Sequence, residues 1–232
     1  MFRKCVAKKK ILRNVISGAK FAYLREHFLH IVLGYLYMLY VIRHGKTDWN
    51  ARYKLQGRTD IPLNEEGRKM ARDAGEHYKN INFDVCYCSP LIRAQETAKL
   101  LLENRAKEGK AVPIITDNRL AEMCFGKYEG TRNVFEKPDC PIYKFFKDPE
   151  NYVAQDGAES FEELFARTGQ FLKEVVVPDL KNGKDVLIVG HGAMNNSIIS
   201  QVRNIPRKDF WTIAIPNCEL IVLPPNDMLS RF

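Results

Sequence analysis

Several features that would announce a function are missing from this 232-residue chain. The apolar run 28–42 is too short to span a bilayer and carries His30. No Cys and His pairs stand at zinc-ligand spacing, so the six cysteines (Cys5, Cys86, Cys88, Cys124, Cys140 and Cys218) form no zinc ribbon or finger pattern. No conventional secretory signal is visible, and the cysteines are expected to be free thiols in a reducing cytoplasm. Internal repeats, low-complexity tracts and long linkers are absent, which excludes solenoids and beads of small domains. There is no P-loop pattern, so no attached nucleotide-dependent kinase is expected.

An excess of charge is also missing where it would matter. The formal net charge is +8, but residues 1–37 hold eight basic residues against Glu26 alone. The remainder has 28 basic and 27 acidic residues, which gives no electrostatic case for a nucleic-acid partner. Residues 1–37 read as a basic extension, either disordered or lying upstream of a natural start at Met38. A transit peptide or a surface-binding helix would have similar composition. Residues 38–232 are expected to form one α/β domain around a single sizeable core.

What is present is an alternation of strands and helices, the signature of a mostly parallel sheet covered on both faces. Leu39–Ile42, Phe83–Cys88, Pro113–Thr116, Val186–Val189 and Glu219–Leu223 read as strands, the last at a sheet edge. Cys86 and Cys88 are expected as small buried apolar groups. Asn64 is expected to cap a helix with apolar positions Met70, Ala71, Ala74, Tyr78 and Ile81. Ser89-Pro90 offers an N-cap and an N1 proline for a helix through Leu91, Ala94, Ala98, Leu101 and Leu102. Ser160 and Glu163 form a capping box before Phe161, Leu164, Phe165, Thr168 and Leu172. Residues 117–157 are poorly periodic, and so long an irregular stretch suggests a lid or binding loop, placed at about 131–157. Its aromatics Phe135, Tyr143, Phe145, Phe146 and Tyr152 are expected as lid core.

Two histidines occupy matching places: His44 follows one apolar strand and His191 another, each succeeded by glycine. In an open α/β sheet the ligand crevice lies beyond the carboxyl ends of the strands, so the two would meet there if their strands are neighbours. Arg43 adds a planar cationic fork, and Arg93 falls in the first turn of a helix, near the free N–H groups of its N-terminus. Such a set suits a phosphate dianion. The leaving alkoxide of a phosphate ester needs a proton, and Glu122 is the candidate acid, although Glu129 stands close to it in sequence.

The blocks in which these residues stand resemble those of the histidine phosphatases, or phosphoglycerate mutase-like family. Arg43-His44-Gly45-Lys46-Thr47-Asp48-Trp49-Asn50 is similar to the family signature. Gln56-Gly57-Arg58-Thr59-Asp60-Ile61-Pro62-Leu63-Asn64, Cys88-Ser89-Pro90-Leu91-Ile92-Arg93-Ala94-Gln95-Glu96-Thr97-Ala98, and Leu120-Ala121-Glu122 with Gly126–Gly130 follow in family order. Gly157-Ala158-Glu159-Ser160 with Arg167, then Val189-Gly190-His191-Gly192, complete a match over residues 39 to about 223.

The resemblance implies a three-layer α/β/α sandwich with a mostly parallel central sheet. It implies His44 as nucleophile, with one ring nitrogen taking the phosphoryl group and the other donating to a backbone carbonyl. Arg43, Arg93 and His191 would bind phosphate, and Glu122 would be acid and then base. Asn50 and the backbone at Gly192 would add hydrogen bonds, and Gln56 and Gly57 would line the substrate side. Asn50 could instead cap a turn, and Gln56 could be a solvated loop residue. No metal or cofactor is implied. The expected partner is a small phosphorylated metabolite, with no nucleic acid and no membrane. Oligomeric state is left open, a homodimer among the options.

The related mutases carry a longer stretch after the acidic residue, with an Arg and a Tyr-Gly close behind it. Here Glu122 runs through Met123-Cys124-Phe125-Gly126 to Glu129-Gly130, which favours hydrolysis. A mutase is the runner-up, and a non-catalytic phospho-ligand or protein-binding module is the alternative from another class.

Overall fold

A computed structural model of the chain describes residues 37–224. The basic extension, its suggested role and Cys5 lie outside them, apart from Tyr37. Among the described residues no helix is long and apolar enough to cross a membrane.

One five-stranded sheet organises the chain, in the order β3-β2-β4-β1-β5. The strands are β1 (Leu39–Arg43), β2 (Val85–Cys88), β3 (Ile114–Thr116), β4 (Val186–Gly190) and β5 (Leu220–Leu223). The first four are parallel, and β5 pairs antiparallel with β1 at one edge. β1 and β4 read as unbroken apolar runs because each is buried on both faces.

A short helix, α1 (Asp48–Ala51), follows β1, and the pleat sends alternate side chains to opposite layers. Tyr40, Ile42, Cys86, Cys88, Leu187 and Val189 pack against α2 (Glu65–His77) and α3 (Ile92–Lys107) through Ala71, Ala74, Ala94, Ala98 and Leu101. Leu39, Val41, Val85, Tyr87, Val186 and Ile188 face the other layer. That layer is built from α5 (Phe161–Phe171), a π-helical turn at Leu172–Val176, α6 (Val177–Lys181) and α7 (Gly192–Arg203). The sandwich is the one expected, and Cys86 and Cys88 are fully buried thiols in its core.

Of the three helix starts expected from capping residues, two are observed. Asn64 accepts from Gly67 N, and Ser160 with Glu163 closes a capping box. Ser89-Pro90 does not start α3. The cap residue is Leu91, and the Ile92 N–H donates to the Asp60 carboxylate at 2.8 Å. The expectation of free N–H groups beside Arg93 is thereby corrected for the first of them, which a carboxylate from the loop before α2 occupies.

Residues 117–159 hold short 3₁₀ turns and α4 (Tyr143–Lys147) over a third core of Met123, Phe125, Ile142, Phe145, Tyr152, Phe161 and Phe210. Phe145 and Tyr152 are core, as expected, but Phe135 is 48% exposed. The segment is fastened by Glu159, whose buried carboxylate takes both Nε (2.7 Å) and Nη2 (3.0 Å) of Arg167 and the Cys124 N–H. Arg167 also donates through Nη1 to the carbonyls of Arg119 and Ala121, directly before Glu122. Removing one partner of a buried pair strands the other charge. Arg167→Met is therefore expected to cost about 3 kcal/mol of stability in urea unfolding. A loss below about 1 kcal/mol would show that Arg58, the second cation on Glu159, suffices alone.

Candidate active site

β1 and β4 run side by side in register, Arg43 opposite Gly190, so the next residues, His44 and His191, leave the sheet together. Their ring centroids are 5.2 Å apart. The His44 backbone is tied on both sides: its N–H donates to Gly190 O at 2.9 Å, and its carbonyl accepts from Asn217 Nδ2 at 2.6 Å. The turn that follows is tight. A Cβ on Gly45 would lie 2.5 Å from the Gly67 carbonyl oxygen, so only glycine lets this loop rest on α2.

His44 Nδ1 lies 2.6 Å from the Gly45 carbonyl oxygen. A carbonyl only accepts, so Nδ1 carries the hydrogen and Nε2 keeps its lone pair. Burial, and then the charges of Arg93 and Arg43, hold the imidazole well below its ordinary ionisation range, which keeps it neutral.

His191 is arranged differently. Arg93 Nε donates to its Nδ1 at 3.2 Å, and its Nε2 lies 2.7 Å from Ser89 Oγ. Arginine is always the donor, so His191 is the Nε2–H tautomer donating to Ser89. Burial and the neighbouring Arg93 push its ionisation down too. Both ring nitrogens are engaged by protein groups, and His191 does not border the cleft that His44 lines.

Arg93 is fully buried, with Nη1 on Thr59 O at 2.9 Å and Nη2 on Gly57 O at 2.7 Å. These bonds use three of its five N–H groups and leave one on each terminal nitrogen. Burial lowers its pKa to about 10, still cationic at neutral pH. Arg43 donates through Nη1 to Ile215 O at 3.2 Å, while its buried Nε has no protein partner. An orphaned, buried cationic N–H is costly unless an anion meets it.

Glu122 and Glu129 prove easy to tell apart. Glu129 accepts from Arg58 N, Thr59 N, Thr59 Oγ1 and Phe125 N, which makes it a staple between loops. A Cβ on Gly57, whose φ is +55°, would sit 2.1 Å from its Oε1. Glu122 faces the cleft. Its Oε1 accepts from Met123 N and Met194 N at 2.8 and 2.9 Å, and its Oε2 from Ala193 N at 3.2 Å. The N-terminus of α7 thus orients this carboxylate beside Gly192.

Arg43, His44, Asn50, Gln56, Gly57, Arg93, Glu122 and Gly192 all border one cleft of about 660 Å³. Of the nine residues expected at the site, only His191 is absent from its wall. Asn50 is shared between two duties: its Oδ1 accepts from Thr47 N in a capping box, so its amide N–H₂ is the part left for a ligand. Gln56 is not a solvated loop residue, since it is buried with its Oε1 accepting from Thr47 Oγ1 at 3.0 Å. Sequence reasoning missed Asn217 and the role of Ser89. The latter had a signal in its place directly after β2 and four residues before Arg93, whereas Asn217 stands in no motif.

The histidine phosphatase superfamily (branch 1) family model matches residues 39–229. The chain is 34% identical over 163 residues to the uncharacterized phosphatase PhoE of Bacillus subtilis, covering 70% of this chain and 75% of that one. It is 30% identical over 184 residues to the 2,3-bisphosphoglycerate-dependent phosphoglycerate mutase 2 of Gloeobacter violaceus, covering 78% and 82%. Among solved structures, YhfR of Bacillus stearothermophilus superposes with a TM-score of 0.70 at 29% identity, over 80% of this chain and 89% of that one. The fold, the ordered sequence blocks and these relatives agree that the chain belongs to the histidine phosphatase superfamily.

Proposed function

We propose that the protein is a metal-independent phosphatase that hydrolyses small phosphate monoesters through a phosphohistidine on His44. The observation that carries this reading is the fixed tautomer of His44, with Nδ1–H bound to the Gly45 carbonyl and Nε2 left unprotonated beside two buried arginines. The phosphate dianion is bound by Arg43, through its orphaned Nε, and by the remaining N–H groups of Arg93. His191 holds Arg93 through Nδ1, in a tautomer set by Ser89.

In the first step His44 Nε2 forms a bond to phosphorus, the ester P–O bond breaks, and protonated Glu122 gives its proton to the departing alkoxide. In the second step water attacks phosphorus and gives a proton to Glu122, the N–P bond breaks, and phosphate leaves. The arginines stabilise the charge on the transferring group in both steps.

Water is favoured over a second phosphoglycerate as acceptor by the segment after Glu122. Residues 123–132 give the cleft Phe125 alone and no cation to grip a substrate carboxylate. Isomerisation of 3-phosphoglycerate in the presence of its bisphosphate, without net phosphate release, would make the protein a mutase instead.

His44→Ala is expected to lower phosphate release by at least about 10⁴-fold while the protein stays folded, checked by turnover and circular dichroism. Glu122→Gln should slow alkyl phosphates by about 10²-fold or more and para-nitrophenyl phosphate far less, because the aryl leaving group needs little protonation. Equal slowing of both would move the acid elsewhere.

The depressed ionisation of His44 sets a pH dependence. Loss of the neutral nucleophile should come only below pH 6.5, so the acid limb of kcat/KM attributable to His44 lies there. Stability follows the same sign. The unfolded imidazoles of His44 and His191 take up protons near their ordinary pKa, and the folded ones do so only at lower pH. Stability is therefore fully present above about pH 6.5 and declines as pH falls below it. Thermal unfolding between about pH 7 and pH 5 is expected to show that decline, less steep in His44→Ala.

A further inference from the structure

Beyond the groups that would hold phosphate, the cleft continues along a wall of aromatic rings. Phe146 is its centre, with ring centroids 4.6 Å from Phe135, 5.2 Å from Trp211 and 6.1 Å from Phe125. All four rings border the cleft that holds His44. The wall is preformed. Trp211 is oriented by its Nε1–H bond to Phe145 O at 2.8 Å. Phe135 stands on a turn entered through Asn133 at φ +50°, and that turn is laced to the 53–55 segment by Leu55 N→Thr131 O, Gly130 N→Leu55 O and Asn133 N→Tyr53 O. The large exposed surface of Phe135 is thus held in place at the cleft mouth, where an apolar group has a use rather than only a cost.

Charge narrows the choice further. Lys147 Nζ lies 6.0 Å from the Phe135 ring centroid, and Lys46 and Lys54 also border the cleft, whereas Glu122 is its only acidic wall residue among the described residues. A substrate whose alcohol carries a cation would meet repulsion at the mouth. The volume of about 660 Å³ is in the range of sites that enclose drug-sized ligands, well beyond a three-carbon phosphate.

We infer that the substrates are phosphate monoesters of neutral or anionic ring-bearing alcohols, whose planar apolar body lies on Phe135, Phe146 and Trp211 while the phosphate meets His44. This assignment rests on the phosphatase reading for turnover, but binding alone can test it.

The test compares 2-naphthylmethyl phosphate with glycerol 3-phosphate. Both have alkoxide leaving groups, so a difference does not come from aryl activation. Wild type is expected to show at least about tenfold higher kcat/KM for the naphthylmethyl ester, mainly through KM. Phe135→Ala, at an exposed position that the core does not need, should remove most of that preference, and Phe146→Leu should reduce it. In parallel, calorimetry should show 2-naphthylmethylphosphonate binding at least about tenfold more tightly than methylphosphonate, with the gap narrowed by Phe135→Ala. His44-dependent release of phosphate without preference between the esters would overturn the inference and leave the phosphatase reading intact. No release from either ester, with tight naphthyl phosphonate binding, would sink the phosphatase reading and keep the assignment of the wall. Equal, weak binding of both phosphonates would overturn the assignment whatever the turnover.

Discussion

The parallel pairing of β1 with β4 is the constraint on which the site depends. Backbone hydrogen bonds, not side-chain contacts, put Arg43 opposite Gly190 and so bring His44 and His191 out of the sheet within one ring contact of each other. A slip of one residue would turn each side chain to the opposite layer and separate them. The two flanking cores hold that register, since Leu39, Val41, Val186 and Ile188 are sealed on one face and Ile42, Leu187 and Val189 on the other.

Around this pair the protein gathers positive charge in a place with little water. Arg43 and Arg93 are buried, and both imidazoles are kept neutral by the same burial that makes the arginines effective. On the proposed mechanism, a neutral imidazole between cations does not compete with the incoming dianion for their charge. In its ionised form Glu122 offsets part of the excess, and its charge raises the pKa of both arginines against the larger effect of burial. Desolvation dominates both arginines, and Arg43 Nε is the buried N–H that no protein group meets.

Much of this was legible in the chain. Strand order was not, but the place of each strand was, because buried strands are written as apolar runs and the turns after them carry histidine and glycine. Asn64, Ser160 and Glu163 act as the caps they resemble, since capping depends on residues three apart. The start of α3 was misread because its capping carboxylate, Asp60, is 32 residues away from Ile92. The division of labour between Glu122 and Glu129 was equally hidden, being decided by which backbone N–H groups from other loops each carboxylate meets. His191 was assigned to the phosphate by its motif, yet its ring nitrogens serve Arg93 and Ser89, contacts that no local pattern encodes. The aromatics of 135–152 looked uniform in sequence. Only the fold separates Phe145, sunk in the third core, from Phe135 at the cleft mouth.

That third core is separate from the two that seal the sheet. It is built mostly from the irregular segment, and it meets the scaffold through Phe161 and Leu164 of α5 and Ala193 of α7. Regions with their own packing open as units, so the amides of residues 123–152 have a route to exchange with solvent that leaves β1 and β4 closed. His44, at the end of β1, and the aromatic wall of the cleft thus sit in different packing units of the molecule. On the proposed reading, what the wall selects can change by repacking one unit while the histidine pair stays fixed in the other.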